Sequence, residues 1–278
     1  MKKKIQQRTD LALELHERLT EHTDYITKEE ETHGDCKVTR IVVHKETPEF
    51  PRPPGQYVTL RLPSLAQLPP EPAHIVLLAR EINKLIPPFL KPESSILICG
   101  LGNEEITPDS LGPQGARCIL ATRGQYEGMG LRNVCAIAPG VFAKTGIEAL
   151  EVLEGLIEQL KPGAIIAIDA LAAEDFSRLG NTIQLCDTGI SPGSGVENAR
   201  PELSGNTLGV PVIAIGMPTV VDSSDLTAAS KDITSPNGFV TPRGIDLLCK
   251  RGAKMIGLAL NLALQPSLEL EDLLSLQE

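Results

Sequence analysis

Asp109 and Asp169 are the residues of this sequence whose setting points most directly to chemistry. Asp109 follows the apolar run "SILIC" (95–99) by way of Gly100-Leu101-Gly102-Asn103 and Thr107-Pro108, and Asp169 ends a second apolar run, "AIIAID" (164–169). In open α/β sheets, chemistry gathers beyond the carboxyl ends of the strands. Neighbouring parallel strands lie only about 4.8 Å apart. Two carboxylates brought that close do not easily both ionise; one keeps a proton, and the pair can work as acid and base on a water. Gly100, Gly102 and Asn103 would shape such a site. Each aspartate also has a plain structural role open to it, Asp109 as the cap of the following helix and Asp169 as the cap of "LAAEDFSRL". The run 133–138, expected between the two strands, ends in Ala138-Pro139-Gly140 and would leave room for a substrate.

Other chemistries fit poorly. A dinucleotide turn needs G-x-G-x-x-G, whereas Gly100-Leu101-Gly102-Asn103-Glu104-Glu105 lacks the third glycine and sets two acids where a pyrophosphate would approach. No G-x-x-x-x-G-K-[ST] motif occurs. The five histidines (His16, His22, His33, His44, His74) all precede residue 75 without an H-E-x-x-H, and two carboxylates without histidine make a poor zinc site. Neither a metal nor a cofactor is expected. "SPGSG" (191–195) is not a nucleophile elbow, because proline takes the first position. The six cysteines contain no C-x-x-C pair and read as core thiols.

The chain that must position these groups has 278 residues, 41% of them hydrophobic but only 3% aromatic, so Leu, Ile, Val and Ala must fill the core. A net charge of −10 argues against a nucleic-acid partner. No long apolar segment follows "MKKKI", so neither a signal peptide nor a membrane anchor is expected, and the setting would be cytoplasmic. Residues 1–50 are highly charged and are expected to be mobile or peripheral. Strands are expected around 56–62, 95–99, 133–138, 164–169, 181–186 and 210–216. Helices should occupy "HIVLLAREINKLI" up to Pro87-Pro88, "ARCILATR", a segment opened by a Thr145–Glu148 capping box, and a last one opened by Pro242. Their alternation predicts an α/β fold, a mainly parallel sheet with helices on both faces. The long Gly/Ser/Asn/Pro loop 187–209 is of the kind that carries function.

Taken together, "GLGNEEITPDSLGP", "APGVFAKTGIEALE", "PGAIIAIDALAA", "TIQLCDTGISPGSGVENARPELS" and "VPVIAIGMPTVVD" resemble the germination protease family of spore-forming bacteria, with "RTDLALE" and "RPPGQYVTL" in agreement. The resemblance runs from about residue 7 to residue 265. It implies an endopeptidase made as a self-processing zymogen, a homotetramer, and a hydrogenase-maturation-peptidase-like fold. The substrates implied are small acid-soluble spore proteins, and the place is the spore core. By the T-P-D and D-A-L-A motifs the catalytic residues would be Asp109 and Asp169. By "TDLALE" the self-cut would fall between Asp10 and Leu11, making 1–10 a propeptide and 11–278 a single peptidase domain with a charged N-terminal segment. Thr9 or Asp10 could equally cap a helix over "LALELHERL". The stretch between "VVDSSDL" and Thr241 is shorter than the family usually carries, which bears on subunit contacts. Two rival readings share the same residues: a metal-dependent endopeptidase using these carboxylates, and a non-catalytic relative that binds spore proteins.

Overall fold

The computed structural model describes residues 9–19, 24–124, 129–196, 198–223 and 238–276. Residues 1–8 of the expected propeptide, and most of the short stretch before Thr241, lie outside the described residues. The strands are β1 (Ile26–His33), β2 (Cys36–Val43), β3 (Gly55–Arg61), β4 (Ile96–Gly100), β5 (Val134–Ile137), β6 (Ala164–Ala173), β7 (Thr182–Cys186), β8 (Val212–Asp222) and β9 (Phe239–Val240). The helices are α1 (Ala12–Glu17), α2 (Pro72–Leu85), α3 (Leu111–Arg117), α4 (Phe142–Thr145), α5 (Ala149–Leu160), α6 (Gly205–Leu208), α7 (Ile245–Leu264) and α8 (Leu270–Ser275).

All nine strands join one sheet in the order β1-β2-β3-β7-β8-β6-β4-β5, with β9 added to β8. The pairs β4/β5, β4/β6 and β6/β8 are parallel, and the pairs made by β1, β2, β3, β7 and β9 are antiparallel. The sheet is therefore mixed, parallel only across β5, β4, β6 and β8. On the other side, β1, β2 and β3 form a meander that β7 joins to β8. Residues 26–43, expected to be mobile or peripheral, form a regular hairpin whose outer strand is nearly all exposed. β2 is held on both faces, Val38 in the core with α2 and α7 and Ile41 and Val43 in the cluster with α1, while the acids of "TKEEETH" remain in water on β1.

The two faces of the sheet are covered by different helices. Ile96, Ile98, Ile166, Ile168, Ile213 and Ile215 form a core with α2 and α7, whereas Leu97, Cys99, Ile165 and Ala167 pack with α5. Each such side chain taken fully out of water contributes about 1.5–3 kcal/mol. α2 starts at Pro72 behind a Glu71/His74 capping box and stops at extended Ile86, which precedes Pro87. Three expected boundaries move. The box opening α5 is Glu148 with Glu151, while Thr145 closes α4 and Gly146 takes the left-handed conformation at φ +70°. α7 begins at Ile245 rather than Pro242. "ARCILATR" supplies only the end of α3, which stops at Arg117. No helix of the described residues is long and apolar enough to cross a membrane.

Candidate active site

β4 and β6 are direct neighbours, paired from Ile96↔Ala164 to Gly100↔Ile168. β5 lies on the outer side of β4, so the run 133–138 does not separate the two aspartates as expected. β6 also does not end at Asp169. It continues to Ala173, which removes the capping role and leaves Asp169 as a mid-strand carboxyl only 5% exposed. Its Oδ1 accepts the Ala170 N–H at 2.9 Å.

Asp109 reaches the same place by a different route. After Gly100 the chain stays on β6 through Leu101 N–H to Ile168 O (2.8 Å), then turns through Thr107–Asp109, a single 3-10 turn. Asp109 is not the cap of α3; Ser110 holds that position without a side-chain capping bond. Instead, Asp109 Oδ2 accepts the Asn103 N–H at 2.7 Å, and Asn103 Oδ1 accepts the Glu105 N–H at 3.0 Å. Glycine is required where these backbones cross. Gly102 sits at φ +113°, and a Cβ there would stand 2.1 Å from Asp109 O. At Gly112 a Cβ would meet Leu101 O at 2.1 Å and Ile168 O at 2.4 Å, so the start of α3 touches β6 one residue before Asp169.

The electrostatics divide the pair. Burial raises the Asp169 carboxyl well above the usual range, the charges of Asp109 and then Asp10 push it further, and the Ala170 N–H opposes them. Asp109 is raised by burial and pulled back by the Asn103 N–H. Asp169 is the more buried and more strongly raised group, so its surroundings favour the protonated form more than those of Asp109 do. That arrangement can deliver one proton and accept another at adjacent positions.

Asp10 and Leu11 dock against the same strand. Asp10 N–H donates to Ala172 O and its Oδ2 accepts the Ala172 N–H, both at 2.9 Å; Oδ1 accepts from Ser194 Oγ at 2.8 Å. Gln184 brackets the segment, donating to Asp10 O at 2.9 Å and accepting Ala12 N–H at 2.6 Å, while Arg52 holds Thr9 O at 2.9 Å. Leu11 is fully buried with Leu171, Ala173, Leu179 and Val221. The helix over "LALELHERL" does form, as α1, but its cap is Leu11 without a side-chain bond. Gln184 and Ser194 lie in "TIQLCDTGISPGSGVENARPELS" and Arg52 in "RPPGQYVTL", stretches that carry the family resemblance, but no chemical motif singled out any of the three.

Asp35, Cys36 and His74 place a ligand atom each within 4.8 Å of one another. His74 Nδ1, however, accepts the Glu71 N–H, so its Nε2 bears the proton that meets Asp35 Oδ1 at 3.0 Å. The ring then offers no lone pair to a metal, and the cluster reads as the cap of α2. It lies on β2, separated from β6 by β3, β7 and β8. The cysteines are free thiols, with Cys36, Cys99, Cys186 and Cys249 buried.

A family model described as germination protease matches residues 3–234. Germination proteases of Caldanaerobacter subterraneus subsp. tengcongensis and Clostridium acetobutylicum are 39% and 35% identical, with 94% and 96% of this chain and 95% and 97% of theirs covered. That of Bacillus mycoides is 43% identical over 81% of this chain and 66% of its own. Among solved structures, a [NiFe] hydrogenase maturation protease, HycI from Thermococcus kodakarensis, aligns at a TM-score of 0.40 with 18% identity, covering 65% of this chain and 98% of that one. That likeness is too slight to carry an argument. The family match and the near full-length identities carry the assignment: this chain belongs to the germination protease family.

Proposed function

We propose that this chain is an aspartic-type endopeptidase, made as a self-processing zymogen, that begins the breakdown of small acid-soluble spore proteins at germination in the spore core. The observation that carries the reading is the electrostatic interaction of buried Asp169 on β6 with half-buried Asp109 on the adjoining turn, each carboxyl raised and unequally so. In the proposed reaction, ionised Asp109 takes a proton from a water as its oxygen attacks the scissile carbonyl carbon. Asp169 gives its proton to the carbonyl oxygen. As the tetrahedral carbon collapses, the C–N bond breaks, Asp109 passes its proton to the departing nitrogen, and Asp169 recovers its own. Only the singly protonated pair is competent. The rate should rise as acid fills Asp169 and fall again when Asp109 is filled too.

The self-cut is placed between Asp10 and Leu11, and assembly as a homotetramer is part of the same proposal, both by family resemblance. No nucleic acid, membrane or cofactor enters it. The test is the intact mass of wild type, Asp109→Asn and Asp169→Asn after incubation at neutral and mildly acidic pH. Loss of residues 1–10 from wild type alone is the expected result. Equal trimming of all three would remove the aspartates from the reaction, and a flat pH dependence in wild type would remove the shared proton.

A further inference from the structure

Glu104 and Glu105, the acids that argue against a pyrophosphate, have partners on either side of the Asp109 loop. Glu104 pairs with Arg117 at the end of α3, and Glu105 pairs with Lys144 of α4. α4 stands at the same edge of the sheet as this loop, because β5 runs parallel to β4 and the chain leaves it after Ile137. It is a single exposed turn bracketed by left-handed Gly140 and Gly146. Its backbone bonds close on themselves, Lys144 and Thr145 N–H to Val141 O and Gly146 N–H to Phe142 O. Side chains tie it outward. Arg200, on the long loop 187–209, lies 5.2 Å from the centre of the Phe142 ring and donates to Glu148 Oε1 at 3.3 Å. Lys144 reaches the other way, to Glu105.

From Glu105 the connection to the carboxyl is short. Glu105 N–H donates to Asn103 Oδ1 at 3.0 Å, and Asn103 N–H donates to Asp109 Oδ2 at 2.7 Å. The side chain of Asn103 thus fixes residue 105 while its amide fixes Asp109. Resting on the proposed peptidase reading, we infer that Lys144 is a positioning residue for Asp109, acting through Glu105 and Asn103, with Arg200 seating α4 so that it can. The Asn103 N–H favours the ionised carboxylate, and a loop that drifts loses that bond well before the fold is lost. The side chains of Lys144 and Glu105 are 44% and 73% exposed, and an exposed pair adds little to stability. What it fixes is which of several nearby loop positions is occupied, a choice that a weak contact suffices to bias. Asp109 also faces Asp169 from β6 and the Cys249 thiol from α7, and Arg117 borders the loop from α3. None of these changes when Lys144 is replaced.

The experiment follows cleavage of a peptide copying residues 5–16 by the full-length protein after mild acid treatment, measuring kcat, KM and their pH dependence. Wild type is compared with Lys144→Ala, Lys144→Arg, Lys144→Glu, Glu105→Lys and the double variant of the last two. Lys144→Ala should lower kcat about two- to fivefold, the factor an exposed pair can supply, and leave KM unchanged. Its acid limb should move to higher pH, because Asp109 without the Asn103 N–H takes up its proton earlier. Lys144→Arg should keep the wild-type rate. The two charge reversals should each be slower than Lys144→Ala, and their combination should recover most of the wild-type kcat. A change in KM alone, or a double variant no faster than the singles, overturns the inference. A merely structural role lowers kcat and urea stability together and leaves the acid limb in place, which overturns it too. Deuterium exchange at the Asn103 amide gives a readout free of turnover. It should quicken several-fold in Lys144→Ala and Arg200→Ala but not in Lys144→Arg; unchanged exchange in all three refutes the positioning. If wild type cuts no peptide under any condition, the peptidase reading fails, and the amide exchange still decides whether Lys144 holds the loop.

Discussion

Asp169→Asn should raise the stability of the protein while abolishing its activity. Asparagine keeps the size of the side chain and an oxygen to accept the Ala170 N–H, and it cannot ionise beside Asp109. In the unfolded wild type, Asp169 loses its proton as pH rises through the ordinary value of 3.8, whereas in the fold it holds the proton to a much higher pH. Between those two values the unfolded chain binds fewer protons than the folded one. Wild-type stability therefore falls with rising pH, by roughly 1.4 kcal/mol for each pH unit that a single group spans. The asparagine variant has no such loss. The difference in unfolding free energy, variant minus wild type, should be small near pH 4, climb at about that slope, and level off at the pH where folded Asp169 ionises. Urea titrations followed by circular dichroism from pH 4 to pH 8, at one fixed protein concentration, measure the difference directly. Peptide cleavage should fall by roughly 10²–10⁴, the usual worth of a positioned acid or base. Parallel stability curves for the two proteins would refute a raised Asp169, and with it the assignment of this residue as the proton donor.

Three further outcomes follow from the geometry. Gly112→Ala, whose methyl would stand 2.1 Å from Leu101 O and 2.4 Å from Ile168 O, should cost about 1–3 kcal/mol in urea unfolding. It should also lower kcat by about 10²-fold by shifting Asp109 from Asp169; Gly155→Ala, with nothing within 4 Å, should stabilise by about 0.5–1 kcal/mol and leave the rate alone. Glu14→Ala strips a buried carboxylate from the Glu174 and Asp175 N–H groups and from Arg178, so α1 should loosen by about 1–3 kcal/mol and the Thr9–Leu15 amides should exchange faster. Arg40→Met leaves fully buried Glu81 with Lys84 at 2.9 Å and Arg80 at 3.5 Å, and should cost toward the lower end of about 3–5 kcal/mol. Burial pushes Glu81 up, but its bonds to Arg40 and Lys84 more than offset this and hold it below 4.5. Its contribution is thus present above pH 4.5 in wild type and lost on acidification, and that acid sensitivity should shrink in the variant.

The strands buried on both faces were legible because their apolar runs are short and bounded by Gly or Pro, as at 95–99 and 181–186. The length of β6 was not. "AIIAIDALAA" contains an aspartate mid-run, and a charged residue in a buried strand reads as its end unless the proton is counted. The same misreading made Asp169 a candidate cap. The β1–β2 hairpin was hidden because its outer strand is polar throughout, so composition suggested mobility where hydrogen bonding to β2 gives order. The boundary at Thr145 moved because left-handed Gly146 closes α4 there and leaves Glu148 to open α5, and α7 starts at Ile245 behind Gly244 rather than at Pro242. Both aspartates were legible as a pair from their places after apolar runs, but Ser194 and Gln184 reach Asp10 from positions more than 170 residues away, a separation no local pattern records.

The over-long β6 is also what gives the site its form. Had the strand ended at Asp169, the carboxyl would have stood in a solvated loop, with little to raise it and no edge beside it. Because the strand runs on through Ala173 while β4 stops at Gly100, Asp169 lies buried mid-strand beside backbone groups that β4 does not pair. Gly112 and Gly102 let the returning loop press Asp109 against that point without a side chain between them. Proton retention and the closeness of the second carboxyl thus both depend on one mismatch in strand length. Side chains at Gly100 and Gly102, whose Cβ atoms would stand 2.1 Å from Gly112 O and from Asp109 O, should push the returning loop off β6 and lower peptide cleavage even with both aspartates intact.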